Sequence, residues 1–118
     1  MNFSPDVLPR LIPEELAARS VSLDAIGFSS PGWSRADALQ VLAALGPGSI
    51  GVLGGDVIRL ENEKLRNTPD SWYSERRTGE SRAEFAARSI RHAENYIQRY
   101  PDPDNGTVLY VFVFGGGA

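Results

Sequence analysis

Along residues 81–100 the small and apolar side chains Phe85, Ala86, Ser89, Ile90, Ala93, Tyr96, Ile97 and Tyr100 recur on one side of a 3.6-residue period, which predicts an amphipathic helix. Ser81-Arg82-Ala83-Glu84 is a capping box at its start. Pro101 ends it, because proline disfavours helical geometry in the residue before it. A second helix is predicted over residues 34–45, with Ser34 and Asp37 in capping positions and Ala38, Leu39, Leu42 and Leu45 forming the apolar stripe. Gly46-Pro47-Gly48 stops it.

Residues 49–60 change to β-type spacing, with Ile50, Val52, Leu53, Val57, Ile58 and Leu60 interrupted by Gly54, Gly55 and Asp56. Two geometries satisfy that pattern. Gly54-Gly55 as a hairpin loop would pair Leu53 with Asp56 and Val52 with Val57. A bulge at the glycines would instead keep one long kinked strand, move the turn to Glu61-Asn62-Glu63 and start the next strand near Leu65. The second is favoured, because Leu60 continues the apolar pattern and residues 61–64 make the better solvated turn.

Residues 66–80, with Asn67, Pro69, Asp70, Gly79 and a dense set of charges around Trp72 and Tyr73, read as a long surface loop of the kind that carries function. Residues 107–114 are apolar on both faces, which predicts a central strand covered on both sides, or on one side plus a partner. The first thirty residues read as an irregular lead-in with short helices, one opened by Pro13 with Glu14 and Glu15 at the positive end of its dipole and Leu16 turned inward. Another turn is expected from Asp24 to Ile26, capped by Ser22. Asp102-Pro103-Asp104-Asn105-Gly106 is a turn cluster, and residues 115–118 are a loose tail. The sum is a single small α+β domain over residues 1–118, two main helices packed on a sheet of about three strands.

With 118 residues and no cysteine, the chain can build one core without disulfides and has no thiolate metal site. A reducing, cytoplasmic setting is expected. The amino-terminal residues lack the basic start and apolar run of a signal peptide, and no stretch approaches the ~20 apolar residues of a membrane span. Net charge is −3, which argues against general nucleic-acid binding. Its distribution is uneven: residues 81–100 carry four arginines against two acids, and every other part of the chain is net acidic. Arginines spread over five turns read as a solvated face.

Enzyme signatures are missing. His92 is the single histidine, with no signalled triad partner and no thiols to complete a zinc site. Gly51-Val52-Leu53-Gly54-Gly55 lacks the Gly-Lys-Ser/Thr ending of a phosphate loop and the helix that follows a dinucleotide fingerprint. Asp56 and Asp70 are the acids a small hydrolase would use as a pair, with nothing in the sequence to set their separation. Asp56 beside two glycines also has a structural use, accepting from exposed backbone N–H groups. Trp72 and Tyr73 are either core aromatics or interface anchors, and Asp70, Glu75, Arg76 and Arg77 would then form a polar rim.

Taken in order, Leu53-Gly54-Gly55-Asp56-Val57, Asp70-Ser71-Trp72-Tyr73, a capped helix with Ser89, Tyr96 and Tyr100, and an apolar terminal strand resemble the immunity protein 40 family of bacterial toxin-immunity proteins. The resemblance runs from about Trp33 to Phe114; Ser74 stands where the family is associated with cysteine. It implies a non-enzymatic inhibitor without cofactor or metal that binds one cognate toxin domain. Asp56, Asp70, Trp72, Tyr73, Glu75, Arg76 and Arg77 are then the expected contact residues, and a basic toxin would be steered by the acidic chain. The competing expectation is a small-molecule or peptide-binding module around Asp56 and the aromatics. Oligomeric state stays open, since an apolar terminal strand at a sheet edge would pair with a second copy.

Overall fold

β-Structure organises the chain around one long strand. The computed structural model describes residues 11–46, 48–103 and 106–115. In chain order these form α1 (Glu14–Ala17), a 3-10 turn (Asp24–Ile26), α2 (Arg35–Leu45), β1 (Gly51–Glu61), β2 (Lys64–Tyr73), α3 (Arg82–Arg99) and β3 (Thr107–Gly115). The features expected at residues 1–10, Pro47, Asp104-Asn105 and 116–118 lie outside the described residues. Among the described residues the strands make one antiparallel sheet in the order β2-β1-β3.

β1 passes through Gly54-Gly55 without reversing, so the kinked-strand geometry holds. The reversal comes at Asn62-Glu63, both at positive φ (51° and 65°), the left-handed pair of a two-residue hairpin turn. The bulge sits one residue before the glycines: Val52 pairs with Phe114 and Gly54 with Val113, leaving Leu53 as the extra residue. The glycines serve close approach. A Cβ on Gly55 would lie 2.3 Å from the Trp72 ring and 2.3 Å from the Val111 carbonyl oxygen, and one on Gly54 would lie 2.4 Å from the Trp72 carbonyl oxygen.

The expected loop over residues 66–80 is corrected by this hairpin: residues as far as Tyr73 belong to β2, and only 74–80 are loop. β2 is an edge strand with most of its residues exposed, so no apolar alternation announces it. Pro69 is tolerated there because an edge strand can omit a ladder donor. Residues 68–70 of β2 stand against Val57 alone. Within this bulge the Thr68 hydroxyl replaces the backbone donor, giving 2.7 Å to the Val57 carbonyl and accepting from the Asp70 N–H at 3.1 Å.

Both helices cap as the sequence predicts. Ser34 accepts from the Asp37 N–H at 3.2 Å, and Ser81 and Glu84 close a complete capping box. α3 packs over β1 with α2 beside it, and Ser89 of α3 accepts from the Val52 N–H at 2.9 Å in the core. On this face Val52, Val57, Trp72, Tyr110 and Phe112 meet Ala93 and Ile97 of α3 and Val41, Leu42 and Leu45 of α2. On the other, Leu23 with Val21, Ile26 and Phe28 covers Ile58, Leu109 and Val111.

β3 is therefore apolar on both faces as expected, but it lies at the sheet edge and β1 is central. Two-sided apolarity reports covered faces, and here the lead-in segment supplies the second cover. Trp33 bridges the outer border of β3, exchanging backbone hydrogen bonds with Tyr110 at 2.8 and 2.9 Å.

Gly55→Ala is expected to destabilise the fold by about 1–3 kcal/mol through overpacking against Trp72. Glu63→Gly, which relieves a side chain at positive φ, is expected to stabilise it by about 0.5–1 kcal/mol. Urea midpoints at unchanged slope would read both.

Candidate partner-binding surface

Side chains alternate along a strand, and at the end of β2 that alternation separates two aromatic neighbours. Trp72 turns inward and is 6% exposed. It stacks on Tyr96 of α3 with ring centroids 4.7 Å apart and meets Phe112 edge-on at 6.1 Å. Tyr73 turns out of the core and is 73% exposed. Its cross-strand partner is Gly54, whose other partner is Val113, also exposed. A large aromatic thus stands beside a position with no side chain.

The chain leaves the sheet through Ser74, whose N–H donates to the Leu53 carbonyl at 2.9 Å and whose buried hydroxyl lies 2.8 Å from His92 Nδ1. Arg88 then folds the 74–80 loop back onto α3. Its Nε donates to Glu80 Oε2 at 2.7 Å, and its Nη2 donates to Glu80 Oε1 at 2.9 Å and to the Glu75 carbonyl at 2.6 Å. The Arg77 N–H adds a bond to Glu80 Oε1 at 2.9 Å. These donors, Arg88 foremost and the Arg77 N–H next, hold the Glu80 carboxyl down at about 2. Bidentate pairing of this kind fixes geometry as well as charge. The loop is consequently pre-shaped, and with Tyr73 and His92 it borders an open depression of about 710 Å³.

Of the residues expected to form the contact, Tyr73, Glu75, Arg76 and Arg77 come together around this depression. Trp72 takes the packing role beneath it. Asp70 is elsewhere: its carboxylate accepts from the Tyr100 hydroxyl at 2.6 Å beside a separate cleft of about 380 Å³ that also borders Arg66 and Asp102. Burial, and then the Asp70 bond, push the Tyr100 hydroxyl up to about 12. Arg35 steadies that end of α3, donating to the Tyr100 carbonyl at 2.5 Å and pairing with Asp102 at 2.9 Å.

Asp56 is half-buried and pairs across the strands with Ser71 and Val111. Val111 packs on the face away from α3, whereas Tyr100, the partner of Asp70, packs on the α3 face. The sheet thus separates the two acids that a paired-carboxylate hydrolase would need side by side.

The Ser74–His92 contact is not legible in the sequence, where His92 shows only as a lone histidine with no signalled partner. The structure exposes it. Its position next to the buried Ala93 on the helical period already pointed outward. Hydroxyl and imidazole at 2.8 Å are within nucleophile–base reach, but among the described residues no carboxylate hydrogen-bonds the second ring nitrogen to orient it. The same set contains no group of three or more His, Cys, Asp or Glu residues arranged to hold a metal, and no helix long and apolar enough to cross a membrane.

Tyr73 at the end of β2 and Arg76 and Arg77 on the braced loop beside it are of the residue types that dominate interface energies. The immunity protein 40 family model matches residues 22–114, and the chain belongs to that family. The match begins eleven residues before Trp33 and takes in the lead-in segment that covers the second face of the sheet. No curated protein and no solved structure matches the chain. Family membership supports an immunity function directed at a protein partner.

Glu80, held below its ordinary value of 4.5, stabilises the loop at all pH values above that value and ceases to do so as pH falls toward about 2. Protection of the amides of residues 75–80, taken relative to the intrinsic exchange rate at each pH, is expected to fall across that acid window in the wild type. In Glu80→Gln protection should be low already at neutral pH and lack the transition.

Proposed function

We propose that this protein is an immunity protein that binds and neutralises a cognate secreted bacterial toxin domain, acting in the cytoplasm by stoichiometric occlusion and without catalysis of its own. The single observation that carries this reading is the pre-shaped surface at the end of β2, where Tyr73 stands 73% exposed next to a loop pinned by Arg88 and Glu80. Tyrosine is a residue type that interface hot spots prefer, and here it projects into solvent beside Gly54, which has no side chain to screen it. A rigid loop loses little conformational entropy when a partner docks.

Membership of the immunity protein 40 family supplies the kind of partner, and the surface supplies the means. A standard interface covers about 800 Å² on each side, enough to take in Tyr73 with Glu75, Arg76 and Arg77. Asp56 lies two residues from Gly54 along β1 and joins the rim, while Trp72 acts from beneath by fixing where Tyr73 projects. Asp70, engaged by Tyr100 at the far end of α3, supports the fold there and is outside the contact.

The test is co-expression with the toxin domain encoded beside this chain, scored by growth and by co-purification. Rescue and a 1:1 complex are expected. Tyr73→Ala should weaken that complex by about 2 kcal/mol or more, roughly thirtyfold in Kd, at unchanged melting temperature. Growth arrest despite ample immunity protein would refute the reading.

A further inference from the structure

Among the described residues, the face of the sheet away from α3 is covered only in part. Around Leu23 the lead-in segment shelters Ile58, Leu109 and Val111, but toward the loop end Val113 and Tyr73 are exposed. Side chains two apart on a strand, and those directly opposite across a ladder, share a face. Tyr73, Gly54 and Val113 therefore form one rung of this face, and Ser71, Asp56 and Val111 form the rung behind it. Gly54 has no side chain, so the front rung is a notch with an aromatic wall and an aliphatic wall. Neighbouring strands lie about 4.8 Å apart, which sets the two wall strands roughly 10 Å from each other, room for one unbranched side chain laid between Tyr73 and Val113. Asp56 stands two residues along the floor, about 6.8 Å from Gly54.

Asp56 is the one charge in these two rungs, and the fold does not use it. Its expected structural task, accepting from backbone N–H groups beside the glycines, is not taken up: among the described residues its half-buried side chain makes no hydrogen bond or ion pair. The other strand acids are engaged, Glu61 by Arg59 at 3.2 Å and Asp70 by the Tyr100 hydroxyl at 2.6 Å. Aspartate is among the residues that strands disfavour, so a carboxylate in the middle of the central strand weakens the free chain with no internal contact to offset it.

We infer that this notch takes a lysine or arginine side chain of the toxin, its aliphatic stem laid over Gly54 between Tyr73 and Val113 and its charged head on the Asp56 carboxylate. This rests on the immunity reading and specifies what the partner brings to it. Long basic side chains suit such a site, because the stem covers apolar surface while the head keeps a polar partner. The Tyr73 ring adds the attraction of an aromatic face for a cation. A fully exposed ion pair contributes little, but docking would strip the remaining water from a carboxylate that is already half-buried, and a charge pair enclosed in an interface acts mainly by slowing dissociation.

The experiment measures thermal melting of the full chain and its association and dissociation rates with the purified toxin domain encoded beside it. Asp56→Asn keeps the shape of the side chain and removes its charge. It is expected to leave the melting temperature unchanged or to raise it, and to weaken the complex about thirtyfold or more, chiefly through faster dissociation. Asp56→Glu, which keeps the charge, should retain most of the affinity, and Asp56→Lys should lose the complex. Wild-type affinity in Asp56→Asn, or equal weakening by Asp56→Asn and Asp56→Glu, would overturn the cation assignment and leave the immunity reading standing. A marked fall in the melting temperature of Asp56→Asn would do the same, because it would make the carboxylate part of the fold. Failure of the wild-type chain to form any complex would bring down both.

Discussion

The seating of Trp72 on Gly55 is the constraint from which the functional end of the molecule follows. Because Gly55 presents no side chain, the indole approaches the strand at a spacing a Cβ would forbid, and Tyr96 stacks on its ring. That packing locks β2 in register with β1 at the point where β2 ends. A slip of one residue would exchange Trp72 and Tyr73 between core and solvent, removing the core's aromatic bridge and the exposed anchor in one step.

Arg88 extends this order beyond the sheet. A seven-residue connection would ordinarily sample many conformations, yet one guanidinium ties its two ends through the Glu75 carbonyl and the Glu80 carboxylate. Arg88 also lies over the Phe85 ring at 5.6 Å, so the clamp is anchored in the helix that covers the core. The basic stripe of α3 is thereby divided by role: one arginine holds the loop, and others on the loop and helix face outward.

What could be read in the sequence was whatever leaves a periodic or local chemical mark. The two capped helices, the long strand through Gly54-Gly55 and the turn at Asn62-Glu63 all do, and all stand where the residues placed them. β2 does not, because an edge strand with both faces mostly wet has no alternation to show, and Pro69 and Asp70 imitate a loop. The edge position of β3 escaped for the opposite reason, since the segment around Leu23 buries its second face and makes it look central. Among the candidate contact residues, Tyr73, Glu75, Arg76 and Arg77 were found as neighbours in sequence and remain neighbours in space. Asp70 parted from them because the three-residue bulge at 68–70 precedes the point where the strand turns toward the loop. Ser74 and His92 meet only through packing of α3 on the sheet, which no spacing of eighteen residues encodes.

The bulge at Thr68 and Pro69 has a consequence for the protein's behaviour at high concentration. An open sheet border is a template on which a second chain can crystallise its own backbone, the first step toward fibrils. In β2 that border carries an imino residue with no hydrogen to give, and the hydroxyl beside it is already committed to Val57. Lys64, Arg66 and Asp70 add charge along the same rim. An incoming strand meets an interrupted ladder and is turned away, so the chain can be kept abundant without self-templated assembly along this side of the sheet.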